Sequence, residues 1–375
     1  MKSLYRTVQD GLSKFHVRPL EGQPLSRFNN LCGFISGMIR KGNSSLPDIG
    51  SGLRQDINAA SKTMSAKRFV SNKWTDYETH YLPYIQPFIR GIIAITPPRQ
   101  GLQFVIDGSS VGNKNAALMI SIVFRGRGIP LCWIVKQGSK GHFKEQDHLE
   151  VLMKLSEMIQ PILDILPTSM PITLLGDGEF DGIEIQKFCK SKGWNYVLRT
   201  ACSTIFFENG EPFKAKQLQI QYPHNCTFIP EVEFTKKRFK YVNLLCWHDI
   251  KKHEEPIFLV SNLLEAGEII ELYQLRFSIE CLFKDLKSSS FNIHKTRLKQ
   301  PEEVFNLLII AALAFILVLS IAIQYDQIKW HKKIYDVRKK AKQCSLYLFG
   351  FKLVHYFLER CRPFSFSFQF SRNLQ

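Results

Sequence analysis

Residues 102–107 read LQFVID and residues 172–177 read ITLLGD: two short apolar runs, each ending in an aspartate. Continuous apolar runs of this length, bounded by turn formers, predict strands buried on both faces. Working outward, AALMISIVF (116–124) and IPLCWIVK (129–136) read as two more strands. They form a hairpin through the tight Gly126-Arg127-Gly128 link. Residues 145–166 carry helical periodicity, with Pro161 expected to kink or split the helix. GIEIQKFCKSKG (182–193) reads as a helix closed by Gly193, and NYVLRT (195–200) as a fifth strand.

The order is therefore three strands, helix, strand, helix, strand. A three-strand meander followed by two right-handed crossovers gives an α/β fold, a mixed five-stranded sheet with flanking helices. This is the order of the RNase H-like fold. Further out, residues 1–95 look helical. Apolar residues recur at helical spacing in RFNNLCGFISGMIR (27–40), then comes a Gly/Ser/Pro-rich break (GNSSLPDIGSG, 42–52). A basic helical stretch follows around Lys62, Lys67, Arg68 and Lys73. We expect a DNA-binding region there. On the other side, CSTIFFENG, CTFIPEVEF, YVNLLCWHD and EPIFLVSN suggest a β-rich insertion over 201–262. The expected division is 1–95 helical, 96–200 first part of the RNase H-like domain, 201–262 insertion, 263–325 remainder of that domain, and 326–375 a basic C-terminal tail.

The chain has 375 residues, 45% of them hydrophobic, and a formal charge of +17. It can bury a core, and its charge favours a polyanion, most simply nucleic acid. Nine cysteines are scattered with no CxxC pair. They read as free, mostly buried thiols in a reducing cytoplasm and give no expectation of zinc. Leu307–Ile323 is about the shortest length that spans a bilayer. It is single, late in the chain and preceded by a polar helix, so it reads as a buried core helix, and no membrane partner is expected. The tail (Lys329, Lys332, Lys333, Arg338, Lys339, Lys340, Lys342) suits helical packing or contact with DNA phosphates. No Gly-x4-Gly-Lys-Ser/Thr loop points to ATP, and no Gly-x-Ser-x-Gly elbow to a serine nucleophile. His142 and His148 read as surface residues at a helix start.

If the first and fourth strands are parallel neighbours, Asp107 and Asp177 meet at one sheet edge, where open α/β sheets bind ligands. Glu179 and Asp181 compete for the second place in DGEFD; Asp177 directly ends the apolar strand. A third carboxylate, Glu280, lies in ELYQLRFSIECLFKDLKSS (271–289). With Tyr273 at zero on a helical wheel, Arg276, Glu280 and Lys287 fall at about 300°, 340° and 320°. They share a stripe beside an apolar face of Leu272, Leu275, Ile279, Leu282, Phe283 and Leu286. Phosphodiester cleavage needs an activated water and a stabilised leaving oxygen, which two divalent ions provide. Hard Mg²⁺ asks for a few carboxylate oxygens. Arg276 and Lys287 then suit phosphate, by fork and by point charge, and the Tyr273 hydroxyl can donate to it.

At these residues the sequence resembles the DDE transposases of bacterial insertion sequences. The branch is the one marked by Tyr-x2-Arg-x3-Glu-x6-Lys, the insertion sequence four family. Tyr273, Arg276, Glu280 and Lys287 keep that spacing, and FVIDGSSVG and LLGDGEFDG look like its two aspartate segments. The resemblance covers roughly residues 60–325. It implies that Asp107, Asp177 and Glu280 ligate two Mg²⁺ ions, with Mn²⁺ as substitute. It implies that Tyr273, Arg276 and Lys287 grip DNA near the transposon end. It further implies a homodimer on double-stranded DNA that binds terminal inverted repeats, cuts and reinserts, in a bacterial cytoplasm at the nucleoid. Some members form a hairpin with a flipped base stacked on a tryptophan of the insertion; Trp247 is the candidate here. A metal-dependent nuclease on the same fold and an inactive DNA-binding relic are the alternative readings.

Overall fold

The computed structural model describes residues 3–54, 56–138, 143–164, 170–220, 225–251, 253–325, 330, 334 and 345–368. Its N-terminal part is helical as expected: α1 (Leu4–Ser13), α2 (Gly22–Lys41), α3 (Leu46–Gly50), α4 (Ala59–Val70), α5 (Tyr77–His80) and α6 (Leu82–Ile95). Side-chain caps start several of them. Ser3, Ser45, Asn58 and Asp76 each accept from a backbone N–H in the first turn. The basic α4 is tied to the body of the protein, not standing apart from it. Lys67 pairs with Glu303, and the Asn306 amide donates to Val70 O.

β1 (Leu102–Ser110), β2 (Asn115–Phe124) and β3 (Arg127–Gln137) form the expected antiparallel meander. α7 (Glu145–Leu163) continues through Pro161, which falls in its last turn. β4 (Ile172–Gly176), α8 (Ile183–Ser191) and β5 (Asn195–Thr200) follow, with β1–β4 and β4–β5 parallel. The succession of elements along the chain is the one read from the sequence, and in space these five strands run β3-β2-β1-β4-β5, which makes the first and fourth strands neighbours.

The sheet does not stop at five strands. β6 (Ile205–Glu208), β7 (Glu211–Lys214), β8 (Cys226–Phe234), β9 (Phe239–Trp247) and β10 (Ile257–Ser261) extend it to ten, mostly antiparallel: β3-β2-β1-β4-β5-β10-β9-β8-β6-β7. The expected insertion is continuous with the core sheet because β10 pairs antiparallel with the far edge of β5, Phe258 opposite Thr200. That edge would otherwise present unpaired backbone groups.

α9 (Ala266–Gln274) and α10 (Phe277–Lys284) lead into a π-helical turn over Asp285–Ser289. α11 (Pro301–Gln324) carries the apolar run, and nearly all of it is buried. By length and composition it could cross a membrane; here protein surrounds it. One flank is covered by α12 (Leu346–Glu359), whose Gly350 packs against the Val318 carbonyl. Tyr347 stacks on Phe315 with ring centroids 4.2 Å apart. Part of the expected basic tail is therefore a packed helix. Its lysines and arginine named above lie outside the described residues, as does His142.

Candidate active site

Two aspartates follow directly from the sheet register. Ile106 lies opposite Gly176 on parallel strands, and the next residue on each chain segment is Asp107 or Asp177. Both sit at the carboxyl end of the strand pair, at the ligand-binding edge of such sheets. The Asp107 side chain is buried, and its Oδ1 accepts from the Gly108 N–H at 2.7 Å. Asp177 is more open, and its Oδ1 accepts from the Gly178 N–H at 2.6 Å. Its neighbours in DGEFD face elsewhere. Glu179 lies 3.8 Å from His148 Nε2, and Asp181 accepts from the Thr200 hydroxyl at 2.6 Å. Burial raises the Asp181 pKa, with the Thr200 bond working against the shift. His148 is buried, contrary to the surface reading. It sits on the inward face of α7 beside Phe180, where an imidazole is desolvated; its pKa is lowered.

The third carboxylate comes from a helix that is not continuous. The single wheel drawn over 271–289 breaks between α9 and α10 at Leu275 and Arg276, then widens into the π turn. Tyr273 is consequently buried, and Phe277 is exposed. The apolar face survives in Ile279, Leu282, Phe283 and Leu286, whereas Leu272 and Leu275 are half-buried.

Across the break, Arg276 joins the parts. Its Nη2 lies 2.6 Å from Glu280 Oε1, its Nη1 is 4.0 Å from Asp177 Oδ2, and its guanidinium is 5.7 Å from the Tyr273 ring centre. Burial works against the Arg276 charge. Tyr273, Glu280 and Asp177 outweigh it, and the pKa is raised. Burial raises the Tyr273 pKa, while Arg276 and Arg199 pull it down. Lys287, on the π turn, donates to Ser109 Oγ at 2.8 Å. Ser109 is two residues beyond Asp107 on the same face of β1, so Lys287 reaches the Asp107 side. The π turn is pinned by Arg127, 3.5 Å from Asp285, and by the Ser290 hydroxyl on Asp285 O at 2.7 Å.

The fold thus brings Asp107, Asp177, Tyr273, Arg276, Glu280 and Lys287 to one edge. Among the described residues, no three of His, Cys, Asp and Glu stand within metal-ligating range of one another. The cation between Asp177 and Glu280 is the Arg276 guanidinium. The donors are hard carboxylate oxygens that already attract a cation, so they fit a divalent ion once the guanidinium withdraws. Sequence reading missed Ser109 and Arg199. Arg199 is the lone charge in the NYVLRT strand, directly after Tyr196, Val197 and Leu198, and that contrast was its signal. Trp247 stands apart. It is 6% exposed at the end of β9, edge-to-face with His253 at 5.3 Å.

Residues 105–317, more than half of the chain, match the family described as Transposase DDE domain. The chain belongs to the DDE transposase family. Asp107, Asp177 and Glu280 all fall inside the matched DDE domain, and membership implies divalent-metal chemistry in general terms. Comparison with curated proteins finds no match. Among solved structures, a piggyBac transposase synaptic complex with hairpin DNA is 12% identical. The likeness has a TM-score of 0.41 and covers 96% of this chain and 79% of that one. Human ENDOV is 11% identical with a TM-score of 0.29, over 50% and 85%. Argonaute of Marinitoga piezophila is 14% identical with a TM-score of 0.25, over 66% and 33%. All three are distant likenesses.

Proposed function

We propose that this DDE transposase is an insertion-sequence enzyme of the Tyr-x2-Arg-x3-Glu-x6-Lys branch, with an RNase H-like core. In this reading it binds the terminal inverted repeats of its element as a homodimer in a bacterial cytoplasm. It then performs metal-dependent strand cleavage and strand transfer. One observation carries the reading. Asp107 and Asp177 occupy equivalent places on neighbouring parallel strands, and Arg276 links Asp177 to Glu280.

Asp107, Asp177 and Glu280 are the residues to hold Mg²⁺, two ions in all, with Mn²⁺ as substitute. Bound metal would supply an activated water and charge stabilisation at the leaving oxygen. The chain's own groups do the rest. Arg276 offers a forked donor for a phosphate, Lys287 a point charge on the Asp107 side, and the Tyr273 hydroxyl a hydrogen bond. Arg199 adds positive charge from β5. Ser109 holds Lys287 in place before DNA arrives. A base-stacking role for Trp247 requires its ring to leave His253, so hairpin formation would come with movement at the β9 end.

The test uses a labelled duplex carrying the element's own ends, incubated with Mg²⁺ or EDTA, beside Glu280→Gln. Metal-dependent nicking at the ends, lost in Glu280→Gln, together with joined products, is the expected result. Nicking without joining would leave a nuclease. Binding without cleavage in either Mg²⁺ or Mn²⁺ would leave a DNA-binding relic.

A further inference from the structure

β3 is the outer strand of the ten-stranded sheet, and its exposed edge is only half covered. The pairing says which backbone groups point outward. Gly138 N–H donates to Lys114 O, and Val111 N–H to Asn115 O. By alternation, Cys132, Ile134 and Lys136 face β2, while Trp133 and Val135 turn their N–H and C=O away from the sheet. Upstream, the edge is sealed: Tyr77 and Tyr81 donate to Leu131 O and Pro130 O at 2.8 and 2.6 Å. At Trp133 and Val135 no hydrogen bond closes it among the described residues.

A cleft of about 980 Å³ opens at that point, between β3, α5, α7 and the start of α11. Its floor is Trp133, 1% exposed, whose indole Nε1–H has no hydrogen-bond partner among the described residues. Tyr77 and Phe305 pack around that ring at 5.9 and 5.7 Å. The lining charges are uneven. Glu150 is paired with Lys154, Glu303 with Lys67, and Lys136 with Asp147. Glu78, Glu157 and Glu302 form no ion pair among the described residues, and Lys73 lies over the Trp74 ring. A protein of charge +17 therefore carries here a locally acidic, aromatic-floored cleft along an open strand edge.

We propose that this cleft receives an extended segment of a partner protein, carrying Lys or Arg at alternate positions, which adds as a strand to β3. The outward N–H and C=O groups of Trp133 and Val135 need a backbone to pair with. The Trp133 indole needs an acceptor, such as a peptide carbonyl. Glu78, Glu157 and Glu302, exposed and without an ion pair among the described residues, can receive cations at the rim. An extended basic peptide satisfies all three, and strand addition at an open edge is an established mode of recognition. A plain organic cation satisfies only the last. None of the residues at the catalytic edge lines this cleft, and its carboxylates disfavour DNA.

The experiment screens the full-length protein against a positional library of N-acetylated heptapeptide amides, with binding read by fluorescence anisotropy. Selection of Lys or Arg at every second position, with apolar residues between, is expected. Val135→Pro removes an N–H that β2 does not use, so the sheet keeps its own bonds. It should weaken the selected peptide about tenfold or more while the thermal midpoint stays put. The double variant Glu157→Lys, Glu302→Lys tests the rim at exposed positions and should also weaken binding. Amide exchange at Trp133 and Val135 should slow when peptide binds. The proposal fails if charge-reversed peptides bind as well as basic ones. It fails if Val135→Pro leaves affinity unchanged, since that would mark a small cation site. It also fails if the protein alone self-associates in a manner abolished by Val135→Pro, because the occupant would then be a second copy.

Discussion

Arg276 does two jobs that compete. It neutralises Asp177 and Glu280, and it presents a fork to a phosphate. Removing it leaves two carboxylates facing each other. Arg276→Gln is therefore expected to tighten Mn²⁺ binding, measured by electron paramagnetic resonance on the DNA-free protein. It should also lower metal-free stability by about 1 kcal/mol, a surface-pair value suited to the half-exposed Glu280. Looser Mn²⁺ binding in the variant would mean that the guanidinium organises the carboxylates rather than excluding metal. Ser109→Ala frees Lys287 from its hydroxyl partner. Because this acts through Lys287, DNA affinity, read by fluorescence anisotropy of a labelled duplex, should change by less than in Lys287→Ala. The three carboxylates were legible in the sequence because each ends or flanks an apolar run. The Arg276 bridge to Asp177 was not, since it depends on how α10 sits across β3 and β1, a relation no local pattern encodes.

At the level of elements, the first five strands were readable because each is a short apolar run set between Gly, Asn or Asp turns. The joining of β6–β10 to the same sheet was not, because the β5–β10 pairing is a non-local choice made by edges rather than by side-chain pattern. The break after Gln274 was equally hidden: Leu275 and Arg276 are ordinary helix formers, with no proline or glycine to announce a stop. The π turn has a purpose visible only in three dimensions, since its wider winding lets Lys287 reach Ser109. The α11–α12 contact gives a sharper test. A Cβ on Gly350 would lie 2.5 Å from the Val318 carbonyl oxygen, and backbone cannot give way as a side chain can. Gly350→Ala should cost about 2 kcal/mol through overpacking, read as a lower urea midpoint with an unchanged slope. An unchanged midpoint would show that the two helices are further apart in solution.

For the whole molecule, pH and salt report separate things. His16, His80, His148 and His355 all have pKa values lowered from an ordinary value near 6.5, with burial the leading cause in each. The folded state resists protons that the unfolded chain accepts. Stability is thus fully present above about pH 6.5 and is lost as pH falls below it toward the lowered folded values. The thermal midpoint should drop steadily as pH falls from about 6.5 to 5.5, and a flat profile would mean the rings are solvated. The net charge of +17 bears on DNA instead: the affinity expected for duplex ends should fall steeply and log-linearly with salt, and a shallow slope would argue against broad phosphate contact. The burial of α11 has a further consequence, for synthesis. Its 24 residues carry membrane-grade hydropathy, and the helix that covers one flank, α12, is made later. At about 5 to 20 residues per second, the ribosome leaves that flank bare for roughly 2 to 7 seconds. During that interval the nascent chain displays what a membrane-targeting or chaperone receptor binds, and a product truncated between the two helices would display it permanently.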